Sequence, residues 1–394
     1  MSAGSVAGVR RLLVLVSVLV AVDTMLYAAL TPLLPHFAHE FGLSKGRAGV
    51  LVAAYAAGAL VGGIPGGVGA VRLGAQRAVL VGLTLMGLAS LGFAFAGSFW
   101  TLCAARFLQG GGSAFTWAGA FAWLLARASR DRRGQLLGTA MGAAVFGALC
   151  GPVIGACAAL VGRSVVFVAL SGVAVLLAAW ALRVEDAPGE EPSRAAMSAA
   201  LRNRTFVAGL VLMTLPSLLF GILSVLGPLH LSAAGWGAAA IGGVWLTAAA
   251  LEALQAPFVG RVVDRRGNLF PVRIALAAGV VGSVLLALGG EPAVYAPLIV
   301  LTSMAWGVLF TPAFALLADG ADAVGLAQGM AFGLMNAAWA TGAVVGPAAG
   351  GAIAGAAGDT IPFLLSAALC GAALFAVRPR RADEVSRTAD TAKL

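Results

Sequence analysis

The chain has 394 residues, of which 60% are hydrophobic and only 10% charged, whereas a soluble domain carries about a quarter charged residues to coat its surface. That balance excludes a soluble globular class and defines an integral membrane protein. Its apolar runs approach the ~20 residues that cross a bilayer and are continuous rather than alternating, which excludes a closed barrel.

Arg10 and Arg11 precede the first apolar run, residues 12–34. The run is too long for a signal peptide and has no small-residue cleavage site, so it is expected to stay as the first spanning helix. Further spans are predicted at residues 48–70, 78–96, 99–124, 136–161 and 165–182. Residues 183–204 then form a long polar interruption with Glu185, Asp186, Pro188, Glu190, Glu191 and Pro192, which reads as a solvated linker. Spans recur at 206–231, 239–262, 272–288, 294–317, 327–354 and 361–377. The expected organisation is all-helical: an N-terminal six-helix bundle over 1–182, a cytoplasmic linker over 183–204, a C-terminal six-helix bundle over 205–378 and a cytoplasmic tail over 379–394.

The net charge of +9 is no nucleic-acid face, because the Lys and Arg sit between the hydrophobic runs. They set topology instead. Arg72, Arg77, the cluster Arg127, Arg130, Arg132 and Arg133, then Arg261, Arg265, Arg266, Arg273 and the tail Arg378, Arg380 and Arg381 share one side. Lys45, Arg47 and Arg163 are the few on the other. By the positive-inside rule both termini are expected in the cytoplasm, with the chain in a bacterial inner membrane. Cys103, Cys150, Cys157 and Cys370 all fall in apolar runs without metal spacing, so disulfides and structural zinc are not expected. No Gly-rich segment leads into Lys-Ser or Lys-Thr, so no nucleotide, and no cofactor of any kind, is expected.

The two sets of spans are copies. Gly134, Gly138, Gly147, Gly151, Pro152 and Gly155 coincide with Gly329, Gly333, Gly342, Gly346, Pro347 and Gly350 at one offset of 195 residues. Glycines at i and i+4 clear one face of an apolar helix for close approach by another, and the prolines loosen the backbone there. Arg72-x-Gly74 likewise matches Arg265-x-Gly267. Parallel six-span repeats with a central site between them belong to alternating-access transporters.

Three motifs resemble the major facilitator superfamily, and within it the twelve-span proton-coupled drug antiporters. The run from Gly260 to Gly267, with Asp264, Arg265 and Gly267, is similar to that family's G-x-x-x-D-R-x-G loop. Arg106-x-x-Gln109-Gly110-x-Gly112-x-Ala114 is similar to its fourth-helix motif, and Gly147-x-x-x-Gly151-Pro152-x-x-Gly155 to its antiport motif. The copy of the loop around Arg72 and Gly74 departs from the family, because Val71 stands where an Asp is usual. The resemblance implies that Asp264 faces the N-terminus of the fifth span and holds the cytoplasmic side shut.

A charge at mid-bilayer costs at least ~2.5 kcal/mol on insertion scales and so asks for a partner, a wet cavity or a function. Asp23, with Tyr27 on its face, lies about 18 Å into the first span at 1.5 Å per residue. Arg106, with Gln109 on its face, lies in the fourth span, and Glu252 lies midway along the eighth. Asp23 is expected to bind protons or cations with Arg106 tuning it, while Glu252 serves the second half. Asn336 and Trp339 are candidates for the substrate pocket. An Arg in the membrane can also be a structural tie whose charge is spread over backbone carbonyls. The expected function is export of small amphipathic or cationic compounds in exchange for protons, by a monomer whose partners are substrate, protons and lipid, not nucleic acid. The alternative is a proton-coupled or facilitative uptake carrier for a small metabolite; a membrane enzyme is disfavoured by the lack of a nucleophile and base, or of a metal-ligand cluster, at a shared depth.

Overall fold

The computed structural model describes residues 3–127, 133–186, 194–326 and 328–377. The expected tail and parts of the basic cluster and linker, including Arg130, Arg132, Glu190 and Glu191, lie outside them. The described residues form fifteen helices and no strand, as a bilayer requires of a chain that must satisfy its backbone internally.

The first half comprises α1 (Ala3–Ala28), α2 (Leu30–Glu40), α3 (Lys45–Arg72), α4 (Ala75–Ala94), α5 (Phe99–Arg127), α6 (Arg133–Val161) and α7 (Arg163–Ala181). The short α8 (Arg194–Arg202) follows, then α9 (Arg204–Ala233), α10 (Ala238–Arg266), α11 (Leu269–Ala287), α12 (Pro292–Gly307), α13 (Phe310–Ala323), α14 (Gln328–Ala357) and α15 (Thr360–Ala376). Ten helical segments are long and apolar enough to cross a membrane, α1 with α2 and α12 with α13 each counting as one. The central α5, dense in glycine and polar side chains, and the 17-residue α15 are not among the ten; with them the rods fall into two sets of six.

Two differences from the sequence reading have plain causes. Part of the segment read as a solvated linker is α8, because Ala196, Met197 and Ala200 share one face, and they pack into a cluster with Phe206 and Leu326. The first span and the tenth are each broken. Pro32 has no N–H for the carbonyl of Ala28 and its ring crowds that group, so α1 stops there; Pro312 does the same to Val308.

Within the first half α5 packs on α3 and α4, and α6 on α1; within the second α14 packs on α9, and α11 on α15. The glycine series set these approaches. A side chain on Gly147 would meet the Ala21 carbonyl and Thr24, and one on Gly155 the Ala29 carbonyl. In the other half one on Gly342 would meet the Thr214 carbonyl and one on Gly346 that of Leu218, while Gly151 and Gly350 are pressed on Ala28 and Ile222. Thr24 Oγ1 donates to the Ala144 carbonyl at 2.7 Å, and Thr214 Oγ1 to that of Ala338 at 3.1 Å. The two halves meet along α3 and α14 and along α6 and α10.

Candidate functional site

The polar centre of the first half is built around the break in α1. Tyr27 and Leu26, just before it, present carbonyls that Arg106 takes up: Nη1 donates to Leu26 at 3.0 Å and Nη2 to Tyr27 at 3.1 Å. Nη1 also reaches Gln109 Oε1 at 3.1 Å, and Gln109 donates on to Ser90. The guanidinium carbon stands 4.9 Å from the centre of the Tyr55 ring, while Arg106 Nε has no partner among the described residues.

Asp23, one turn before Tyr27, is buried and fully satisfied by neutral donors. Tyr55 donates to Oδ1 at 2.9 Å; Ser113 and Trp117 donate to Oδ2 at 2.8 and 2.6 Å. Asp23 and Arg106 therefore share the neighbour Tyr55 but form no ion pair with each other. Ser113 and Trp117 follow Arg106 at helical spacing on the same face of α5. Tyr55 was not singled out; its rarity, as one of three tyrosines, was the available signal.

The second half is arranged differently. Gln255 on α10 donates to the Met304 carbonyl near the end of α12 at 2.8 Å. Glu252, three residues earlier on the same face, rests against the bare Gly307 and has no hydrogen-bond partner among the described residues.

Between the halves lies a cavity of about 270 Å³, near the lower end of the ~300–1,000 Å³ usual for small-molecule sites. Tyr27, Phe220, Trp245, Phe310 and Trp339 give it aromatic walls, Ser217, Ser224 and Ser303 add hydroxyls, and Arg106 and Glu252 are its charged members. The rings of Tyr27 and Trp339, one from each half, meet edge to face with centres 5.2 Å apart. Asp23, Gln109 and Asn336 do not line this cavity; Asn336 is half-buried on α14.

At the end of the cavity toward Lys45 the seam is shut by backbone. A side chain on Gly49 would meet the Pro347 carbonyl, one on Gly351 the Lys45 carbonyl, and one on Gly242 the Pro152 carbonyl at 3.0 Å. Lys45 Nζ and Asp359 Oδ1 join the halves there at 2.6 Å. At the arginine-rich end the halves touch through Phe121 and Phe332, stacked parallel with centres 5.3 Å apart.

The paired loops end on that side. Gly74 caps the start of α4 at φ 94° and Gly267 ends α10 at φ 75°, a left-handed backbone that suits glycine. Asp186 accepts from the Gln76 backbone N–H at the start of α4 at 3.0 Å, and Arg127 reaches Glu185 Oε2 at 3.1 Å. Arg72, Asp264 and Arg265 are exposed. Asp264 has no ion-pair partner among the described residues, and the side chains of the first α6 residues, which it was expected to face, lie outside them.

Two helical sets around a central, partly charged cavity define a multi-pass membrane transporter. A model of the Major Facilitator Superfamily matches residues 15–329, and the chain belongs to that family. The probable vesicular acetylcholine transporter-B of Danio rerio is 34% identical over 155 residues, 37% of this chain; the match takes in 31% of that protein, about a third of its length. The uncharacterized MFS-type transporter YcaD of Escherichia coli is 25% identical over 266 residues, 66% of this chain and 69% of that one. Among solved structures, the nucleoside transporter NupG superposes with a TM-score of 0.72 at 14% identity, covering 93% of this chain and 98% of its own. A bacterial homologue of the human lysosomal transporter Spinster, inward-facing and unoccupied, superposes at 0.74 with 13% identity, covering 96% and 98%. These structural likenesses concern the fold.

Proposed function

We propose that this transporter exports small amphipathic or cationic compounds in exchange for protons, working as a monomer in a bacterial inner membrane with both termini and the arginine-rich face in the cytoplasm. The observation that carries the reading is Glu252. It is an unpartnered carboxylate on the wall of the central cavity, among aromatic rings whose faces attract cations. A carboxylate in so small a space holds either a proton or a cation, and that exclusion is the chemical basis of exchange. Asp23 already spends its oxygens on Tyr55, Ser113 and Trp117, so Glu252 is the better placed of the two acids. The acetylcholine transporter among the relatives is named for a small organic cation, which agrees with this charge type.

The test is transport by purified protein in liposomes under an imposed pH gradient, with a fluorescent organic cation and a neutral nucleoside or sugar as cargo. Cation movement against proton movement is expected in the parent and should be lost in Glu252→Gln. Undiminished exchange in Glu252→Gln would remove the carboxylate from the mechanism. Movement of the neutral cargo alone would instead favour the uptake carrier, facilitative if it is indifferent to the gradient and proton-coupled if it follows the protons.

A further inference from the structure

The seat of Glu252 is as specific as the residue itself. α10 and α12 are joined beside it by the Gln255 bond to the Met304 carbonyl. One turn on, at the last residue of α12, Gly307 offers no side chain. A Cβ there would lie 3.0 Å from Cγ and Oε2 of Glu252 and 3.1 Å from Cδ, closer than a methyl group and a carboxyl tolerate. The acidic side chain therefore uses the space that a larger residue at 307 would fill. Ser303, one turn back on α12, lines the cavity as well.

We infer that Gly307 is a positioning residue that sets the size of cation the cavity admits, by fixing how far the Glu252 carboxylate projects into it, with Gln255 holding the two helices at the required distance. This rests on the reading of Glu252 as the cation site. The three atoms nearest a methyl group at 307 all belong to the Glu252 side chain, so that side chain is the group that gives way. It moves into a space of about 270 Å³, where the displacement takes room from the cargo. A small cation still fits beside the shifted carboxylate, whereas a larger one meets it. The other charged or titratable groups on the cavity wall, Arg106 and Tyr27, belong to the opposite half, so the change does not alter the number of charges facing the cargo.

The experiment compares tetramethylammonium with tetraethylammonium in proteoliposomes of the full-length protein. In Gly307→Ala the KM for tetraethylammonium should rise about tenfold, the low end for one methylene of misfit, and that for tetramethylammonium several-fold less, with the change falling on KM more than on kcat. Glu252→Asp, one methylene shorter, should shift the ratio of the two KM values the opposite way and does not depend on Gly307→Ala being well folded. Combining the two should bring the ratio back toward the parent, because they act on one contact. Equal KM changes for both cations in Gly307→Ala, or a double variant no closer to the parent ratio than either single one, would overturn the role of Gly307 while leaving the cation site intact. Undiminished transport of both cations by Glu252→Gln would instead overturn the cation site and this inference with it.

Discussion

The polar centres of the two halves stand on the same scaffold and are filled in opposite ways. Each half has a proline-made break in a spanning helix, and in each a side chain of a neighbouring helix takes up carbonyl oxygen next to that break. Each has a threonine tied across to a glycine-lined helix. In the first half the cap is a guanidinium and the nearby carboxylate is closed by three donors. In the second the cap is a neutral amide, and the carboxylate is left to the cavity. Saturating a membrane charge makes it part of the framework; leaving it unsaturated is tolerable only where water, a proton or a ligand can reach it. On the function proposed above, the first half supplies fixed structure and the second the exchangeable group.

That contrast breaks most readily at Arg106. Arg106→Met strips the Leu26 and Tyr27 carbonyls and the Gln109 amide of their partner, and with ~1–3 kcal/mol for each buried group left unpaired the loss should be about 3 kcal/mol or more. Thermal unfolding in detergent reads it as a large fall in Tm. An unchanged Tm would leave Arg106 with a transport role only. Arg106→Lys keeps the charge but not the fork that spans two carbonyls, so it should fall between the two.

A sharper comparison sets the two carboxylates side by side. In Asp23→Asn the amide turns N–H groups toward donors that already point inward, at a cost of about 1–3 kcal/mol. Glu252→Gln loses no protein partner and should stay within ~0.5 kcal/mol of the parent, as substitutions away from such networks do. Transport should show the reverse order, with the deeper loss in Glu252→Gln. If both readouts rank the variants the same way, the distinction between framework and exchangeable group is wrong.

The smallest effect belongs to the seam. Lys45 and Asp359 are about a third exposed, so their pair is worth only ~0–1 kcal/mol. Asp359→Asn should raise labelling of a reporter thiol placed on the cavity wall, applied from the Lys45 side of a cysteine-free background, by no more than about fivefold. Unchanged labelling would mean that the glycine contacts of α3 and α14 close the seam without help.

Much of the fold was legible because lipid leaves a chain so few options. The run predicted at 165–182 is α7, and those at 48–70 and 206–231 lie inside α3 and α9. Pro32 and Pro312 were visible too, but membrane helices often absorb a proline, and only neighbouring groups decide whether the rod breaks. The charges of the site announced themselves because an Asp, Arg or Glu within an apolar run is costly. Their pairing did not, since Arg106 turns to carbonyls rather than to Asp23 and carbonyls leave no mark in a sequence. Gly307 is one of 54 glycines, and its meaning comes from a side chain 55 positions away. The Lys45 and Asp359 pair, separated by 314 residues, is likewise invisible without the fold; Lys45 stood out only as an exception to charge topology.

The seam between α3 and α14 also has a thermal character. Gly46, Gly49, Gly351 and Ala352 meet there largely backbone to backbone, and such residues have no rotamers to release when helices part. Separating a conventional interface of long side chains is helped by heat, because freed rotamers add disorder to the open form. Here that contribution is confined largely to Lys45 and Asp359, so along the glycine contacts rotamer release should do little to make the balance between closed and open seams drift with temperature.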